Sequence, residues 1–161
     1  MRGFTLLELL IVLVIISLSL ALAFPAFYKA SLKGEAGFEN RFSSLVEGSF
    51  AFGAPVELCV DFEGGAVEVG RSKVELPYPA ESLVLPGRVV SSKRSTRFCF
   101  EPRGVTAYAI NFKKDGGYLT VLVLYPTGEV LYLELNEAQE ETLKDKLLKG
   151  RIAEWFSYYS F

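Results

Sequence analysis

The residues able to do chemistry in this chain are few, and they fall into four groups. Glu8 is a lone carboxylate at the edge of an apolar run, Cys59 and Cys99 are the two cysteines, and Arg88, Lys93, Arg94, Arg97 and Arg103 form a local concentration of cations opposed by Glu101. The fourth group is the carboxylate pair Glu140-Glu141. Histidine is absent, which removes Ser-His-Asp and Cys-His catalysis, histidine-ligated zinc and the usual general base near neutral pH. No nucleophile, base and oxyanion donor stand together, and Glu140-Glu141 reads as a solvated helix face. Asp61-Phe62-Glu63 and Asp115 lack the several closely spaced oxygens that calcium requires. The expectation is a protein with no catalytic residues, metal or cofactor.

Cys59 and Cys99 each occupy the polar phase of an alternating segment, beside Glu57 and Asp61 in one case and Arg97 and Glu101 in the other. Two strands of one sheet would let them face each other, so either a disulfide or a pair of reduced thiols fits the pattern. The bonded form would persist outside the cytoplasm. The basic group is flanked by Ser91-Ser92 and Ser95-Thr96, which suggests a loop. It could attract phosphates such as those of DNA, or simply be solvated. A formal charge of −2 gives no whole-molecule attraction to nucleic acid or anionic lipid.

The elements that must position these groups begin with the apolar run. Met1-Arg2-Gly3 leads into Phe4-Thr5-Leu6-Leu7-Glu8, and Leu9 to Phe24 is interrupted only by Ser17 and Ser19. As a helix, Phe4 to Tyr28 would extend roughly 37 Å at about 1.5 Å per residue, enough to span a hydrocarbon core of about 30 Å. Arg2 favours a cytoplasmic start, although Lys29 and Lys33 on the other side weaken the asymmetry. A secretory signal peptide cut after Ala21-Leu22-Ala23 and a plain transmembrane anchor are alternatives. Neither has a use for Glu8, whose charge in an apolar span costs a few kcal/mol or more.

Beyond the run, Phe38, Phe42, Leu45, Val46, Ser49 and Phe50 recur at helical spacing and predict an amphipathic helix ended by Gly53-Ala54-Pro55. From Val56 the period becomes two. Val56 to Phe62 and Ala66 to Val69 predict a hairpin turned by Gly64-Gly65. Further strands are predicted over 88–91, 96–100, 106–112, 118–125 and 129–135. Asn136 and Gln139 suggest a capping box, after which Leu143, Leu147, Leu148, Ile152, Trp155 and Phe156 predict one C-terminal helix, with Glu140 placed to pair with Lys144. Its aromatic end would cover a sheet face or meet a partner subunit. The fold class is α+β, a long helix laid against antiparallel sheet with an extra C-terminal helix.

Gly3-Phe4-Thr5-Leu6-Leu7-Glu8-Leu9 resembles the processing site of type IV prepilins and type II secretion pseudopilins. The resemblance implies cleavage after Gly3 by a prepilin peptidase, N-methylation of Phe4, and retention of the hydrophobic helix. It also implies that Glu8 pairs with the terminal amine of a neighbouring subunit during filament assembly, and that Pro25 sits where family members bend this helix. An ammonium and a carboxylate in an apolar bundle are costly apart and tolerable together, so the pair would set axial register. Arg97-Phe98-Cys99-Phe100-Glu101-Pro102-Arg103-Gly104, followed by strand, turn, strand and Pro126-Thr127-Gly128-Glu129-Val130, resembles the C-terminal half of the GspH and FimT group of minor pseudopilins and pilins.

On this resemblance residues 1–3 are a leader, 4–28 the transmembrane and assembly helix, 29–135 a periplasmic pilin-like domain and 136–161 the added C-terminal helix and aromatic tail. The expected function is a minor pseudopilin or pilin, anchored in the inner membrane and incorporated near the tip of a filament. The expected partners are other pilins or pseudopilins, the prepilin peptidase, and secreted cargo or DNA. A DNA-uptake minor pilin and an exported binding domain that never polymerises are the alternatives.

Overall fold

The computed structural model describes residues 6, 8–19, 35–51 and 56–158. The chain divides into two compact units, one ending at Gly37 and one beginning at Phe38. In the first unit residues 8–19 are α-helical (α1). Ser17 and Ser19 return their hydroxyls to the carbonyls of Leu13 and Ile15, each at 2.8 Å, so the two polar side chains of the run are satisfied within the helix. Among the described residues no helix is both long and apolar enough to cross a membrane. The expected continuous helix over 4–28 extends outside the described residues, as does Pro25.

The second unit is α+β. Helix α2 (Glu35–Ala51), which enters this unit at Phe38, precedes nine strands among the described residues: β1 (Leu58–Asp61), β2 (Ala66–Val69), β3 (Ser72–Glu75), β4 (Ala80–Leu85), β5 (Arg88–Ser91), β6 (Arg97–Phe100), β7 (Ala107–Lys114), β8 (Gly117–Leu124) and β9 (Glu129–Leu135). Two helices, α3 (Glu137–Leu148) and α4 (Ile152–Tyr158), close the described chain. The strands form two antiparallel sheets, ordered β3-β2-β1-β6 and β5-β4-β7-β8-β9. Strands β3 and β4 escape the sequence reading. Ser72–Glu75 buries only Val74, and Ala80–Leu85 lies between Pro79 and Pro86 with an uninterrupted apolar end in place of alternation.

The larger sheet is covered on both faces, and the side-chain period of two sorts its residues between two cores. Tyr108, Ile110, Phe112, Leu119, Val121 and Val123 face a core shared with the smaller sheet and with Phe38, Phe42, Leu45 and Val46 of α2. Ala107, Ala109, Leu122, Leu133 and Leu135 face the opposite way, against Leu143 and Leu147 of α3 and Trp155 of α4. The aromatic Trp155 is fully buried there, whereas Tyr158 is exposed.

The single C-terminal helix expected from periodicity is two helices. Gly150 adopts φ +67°, its N–H donates to Leu147, and the N–H of Arg151 donates to Lys146, which is a Schellman stop. Apolar spacing carries across such a break because α4 returns its buried face to the same core. At the other end of α3 the capping box is present: Asn136 Oδ1 accepts from Gln139 N at 2.9 Å, and Gln139 Oε1 accepts from Asn136 N at 3.0 Å.

Candidate functional site

Glu8 opens the described stretch of α1 and is exposed. Around it Leu6, Leu9, Leu10, Ile11, Val12 and Leu13 are each about half exposed or more, and the pattern continues through Val14, Ile15, Ile16 and Leu18. A helix apolar on every face has no solvated side and needs an apolar environment all round. Glu8 is the carboxylate among these side chains, suited to pairing with a cation in a medium where neither charge is comfortable alone. Gly3 and Phe4, the expected cleavage and methylation positions, lie outside the described residues.

In the second unit the two cysteines meet. β1 and β6 are antiparallel neighbours with Cys59 opposite Cys99, their Cα atoms 4.0 Å apart, and the sulfurs are bonded. Leu58 and Val60 point into the core, so alternation sends Cys59 to the other face of the smaller sheet. The Glu57 carboxylate lies within 4.8 Å of both sulfurs. Each sulfur is bound to the other, so neither is a thiolate ligand, and the trio is not a metal centre in this oxidised form.

The five cations do not act as one patch. The Arg97 guanidinium is 2.8 Å from Glu68, which also receives Lys73 at 3.6 Å. The expectation that Glu101 alone opposes the cluster is therefore corrected, because β2 brings Glu68 alongside Arg97 across the intervening strand β1. Arg88 lies over the Phe98 ring, 4.8 Å from its centroid. Arg103 donates to the Phe50 carbonyl at 3.0 Å. Lys93 and Arg94 are exposed in the turn between β5 and β6, where their backbone N–H groups bond to the Ser91 hydroxyl and carbonyl.

Arg103 has a structural role that its charge alone did not announce. Pro102–Gly104 is a short 3-10 turn that carries Arg103 to the C-terminal end of α2, where a cation complements the helix dipole and a terminal carbonyl. The β8–β9 turn reaches the same helix end from another direction. Tyr125 packs on Phe50 with ring centroids 5.7 Å apart, and Gly128, at φ +70°, approaches so closely that a Cβ would lie 2.9 Å from the Phe50 ring. The two short motifs singled out in the sequence, one around Pro102 and one around Gly128, thus converge on Phe50.

Glu140 corrects a second expectation. It is 7% exposed, so it belongs to no solvated face, and its hydrogen bond is with Asn111, Lys144 acting on it through charge. Asn111 Nδ2 donates to Glu140 Oε1 at 2.6 Å, while Thr120 Oγ1 donates to Asn111 Oδ1 at 2.9 Å. Asn111 and Thr120 are neighbours on β7 and β8, on the sheet face that α3 covers. Burial raises the Glu140 carboxyl above its ordinary value; the nearby Lys144 charge partly offsets this, and Glu81, Glu141 and Glu137 add to it. Sequence spacing showed that Glu140 and Lys144 share a helix face, but not that the face meets a polar spot on the sheet.

Residues 1–24 of the chain match the prokaryotic N-terminal methylation motif. This match supports a type IV prepilin-like N-terminus and, with it, processing by a prepilin peptidase and assembly with other pilin-like subunits. No curated protein and no solved structure matches the chain.

Proposed function

We propose that this protein is a minor pseudopilin or minor type IV pilin of the GspH and FimT kind, a subunit whose chemistry is assembly and not catalysis. The observation that carries the proposal is the methylation motif over residues 1–24, with Glu8 five positions after Gly3 and an otherwise apolar helix following it. The leader ends at Gly3, Phe4 becomes the methylated N-terminus, and the apolar helix holds the precursor in the inner membrane with the second unit in the periplasm. On entry into the filament, Glu8 meets the amine of a neighbouring subunit, which excuses both charges from an apolar bundle and fixes the register. The α+β unit then presents its surface near the filament tip to other subunits or to cargo.

Fragmentation mass spectrometry of the N-terminal peptide, on protein recovered from native membranes, tests the reading. The expected product begins with N-methylated Phe4. A chain beginning at Phe24 would remove the filament role and leave an exported domain.

A further inference from the structure

The outer face of the smaller sheet gathers two sulfurs and a carboxylate at one spot. Glu57 stands two residues before Cys59, so the period of two puts both on the face turned away from the core. Cys99 lies directly across from Cys59 on β6, its Cα 4.0 Å away. A carboxylate oxygen of Glu57 and the two sulfurs all lie within 4.8 Å of one another. The neighbouring charges are engaged elsewhere: Glu68, opposite Cys59 on β2, holds Arg97 at 2.8 Å and Lys73 at 3.6 Å. Glu57 is exposed and makes no hydrogen bond or ion pair among the described residues. A cavity of about 350 Å³, with Glu57, Cys59, Glu68 and Arg97 in its wall, opens this spot to solvent.

Two thiolates and a carboxylate at this spacing are a donor set for a thiophilic divalent cation, because soft sulfur selects zinc over calcium or magnesium. A four-coordinate zinc with Zn–S bonds of about 2.3 Å holds its sulfurs roughly 3.8 Å apart. With the Cα atoms 4.0 Å apart, reduced Cys59 and Cys99 reach that separation by turning about their Cα–Cβ bonds while β1 and β6 stay paired. Glu57 supplies the third ligand, and water from the cavity the fourth. The position also bears on the fold. β6 comes back to β1 only after β2, β3 and the excursion through β4 and β5 in the other sheet, and β1 is its one neighbour in the smaller sheet.

We propose that the reduced chain binds one zinc ion between Cys59, Cys99 and Glu57, a clamp that holds β6 to β1 until the disulfide replaces it. Binding displaces the two thiol protons to solvent. In the exchange that follows, an oxidant carrying its own disulfide accepts two electrons from the thiolates. The Cys59–Cys99 bond forms, the oxidant's sulfur–sulfur bond breaks, its two sulfurs take up two protons from solvent, and zinc leaves as the hydrated ion. The inference stands on β1 and β6 and is independent of what happens at the N-terminus.

The test uses the full-length protein in detergent micelles, reduced with a phosphine and kept free of oxygen. It is titrated first with cobalt(II), whose thiolate charge-transfer absorption reports sulfur ligation, and then with zinc. One cobalt per chain is expected to give that absorption, zinc to displace it, and zinc to raise the melting temperature of the reduced protein. The oxidised protein is expected to show none of these effects. Glu57→Gln is expected to weaken zinc roughly ten-fold or more, read by competition with a chromophoric chelator. The same substitution should leave the melting temperature of the metal-free reduced protein unchanged, because Glu57 is exposed. Should reduction unfold the domain, circular dichroism reads the same site as refolding at one equivalent of zinc. Absence of the charge-transfer absorption, one ion per two chains, or a zinc affinity indifferent to Glu57→Gln would overturn the proposal. So would zinc binding that neither raises the melting temperature of the reduced protein nor refolds it.

Discussion

Burial raises the Glu140 carboxyl above its ordinary value of 4.5, and this single group links pH to the attachment of α3. A raised folded-state value means that the native protein holds this proton more tightly than the unfolded chain. Its contribution is therefore fully present below about pH 4.5 and is lost as the pH rises through the folded value. Glu140→Gln can still accept from Asn111 without carrying the charge. Its melting temperature relative to the parent protein should rise between pH 4 and pH 7, a difference that calorimetry at the two values reads directly. Glu140→Leu should instead cost about 1–3 kcal/mol in denaturant unfolding, because the buried Asn111 Nδ2 loses its 2.6 Å acceptor and keeps only the Ser82 hydroxyl at 3.4 Å. At Glu8 the expectation concerns assembly. Glu8→Ala should insert into membranes and fold like the parent, while its recovery in sheared filament fractions falls several-fold. Normal recovery would count against a register role.

At the level of elements, the end of α2 shows how short turns can matter more than their length suggests. Arg103 satisfies the Phe50 carbonyl and Gly128 admits the Phe50 ring, so two separated turns hold one helix terminus. Gly128→Ala meets both a left-handed backbone and the ring contact. Urea unfolding should show a loss of about 1–2 kcal/mol from the backbone alone, with the displaced ring adding to it. The same kind of reasoning explains the C-terminal helices. Apolar periodicity identified which residues face the sheet, but the Schellman stop at Gly150 divides them into α3 and α4, and Gly87 N ties the end of α3 to the β4–β5 turn through the Leu148 carbonyl at 2.8 Å.

Across the whole molecule, the larger sheet is the common wall of two cores, one with α2 and the smaller sheet and one with α3 and α4. The smaller sheet is fastened within itself by the Cys59–Cys99 bond, which joins β1 to the terminal strand β6 across a separation of 40 residues. Reduction, or the paired change Cys59→Ser with Cys99→Ser, should lower stability by about 4 kcal/mol in the chain-entropy account. Thermal melts with and without reductant measure it. A loss near zero would show that β-sheet pairing alone holds β6.

Sequence by itself determined the features that depend on local periodicity and on residue type. The apolar run with Glu8, the amphipathic α2, the β1–β2 hairpin, strands β5 to β9, and the capping box at Asn136 were all legible because each repeats every two or 3.6 residues or ends in a diagnostic turn. The match over residues 1–24 was legible for the same reason, being a contiguous pattern. Only the tertiary structure decided what lies opposite what. It placed Glu68 beside Arg97, Arg103 at the end of α2, and Asn111 under Glu140, pairings that join residues 29, 53 and 29 positions apart. Such relations depend on sheet order and on which face each helix covers, and those are set by the joint burial of two cores and not by any one segment.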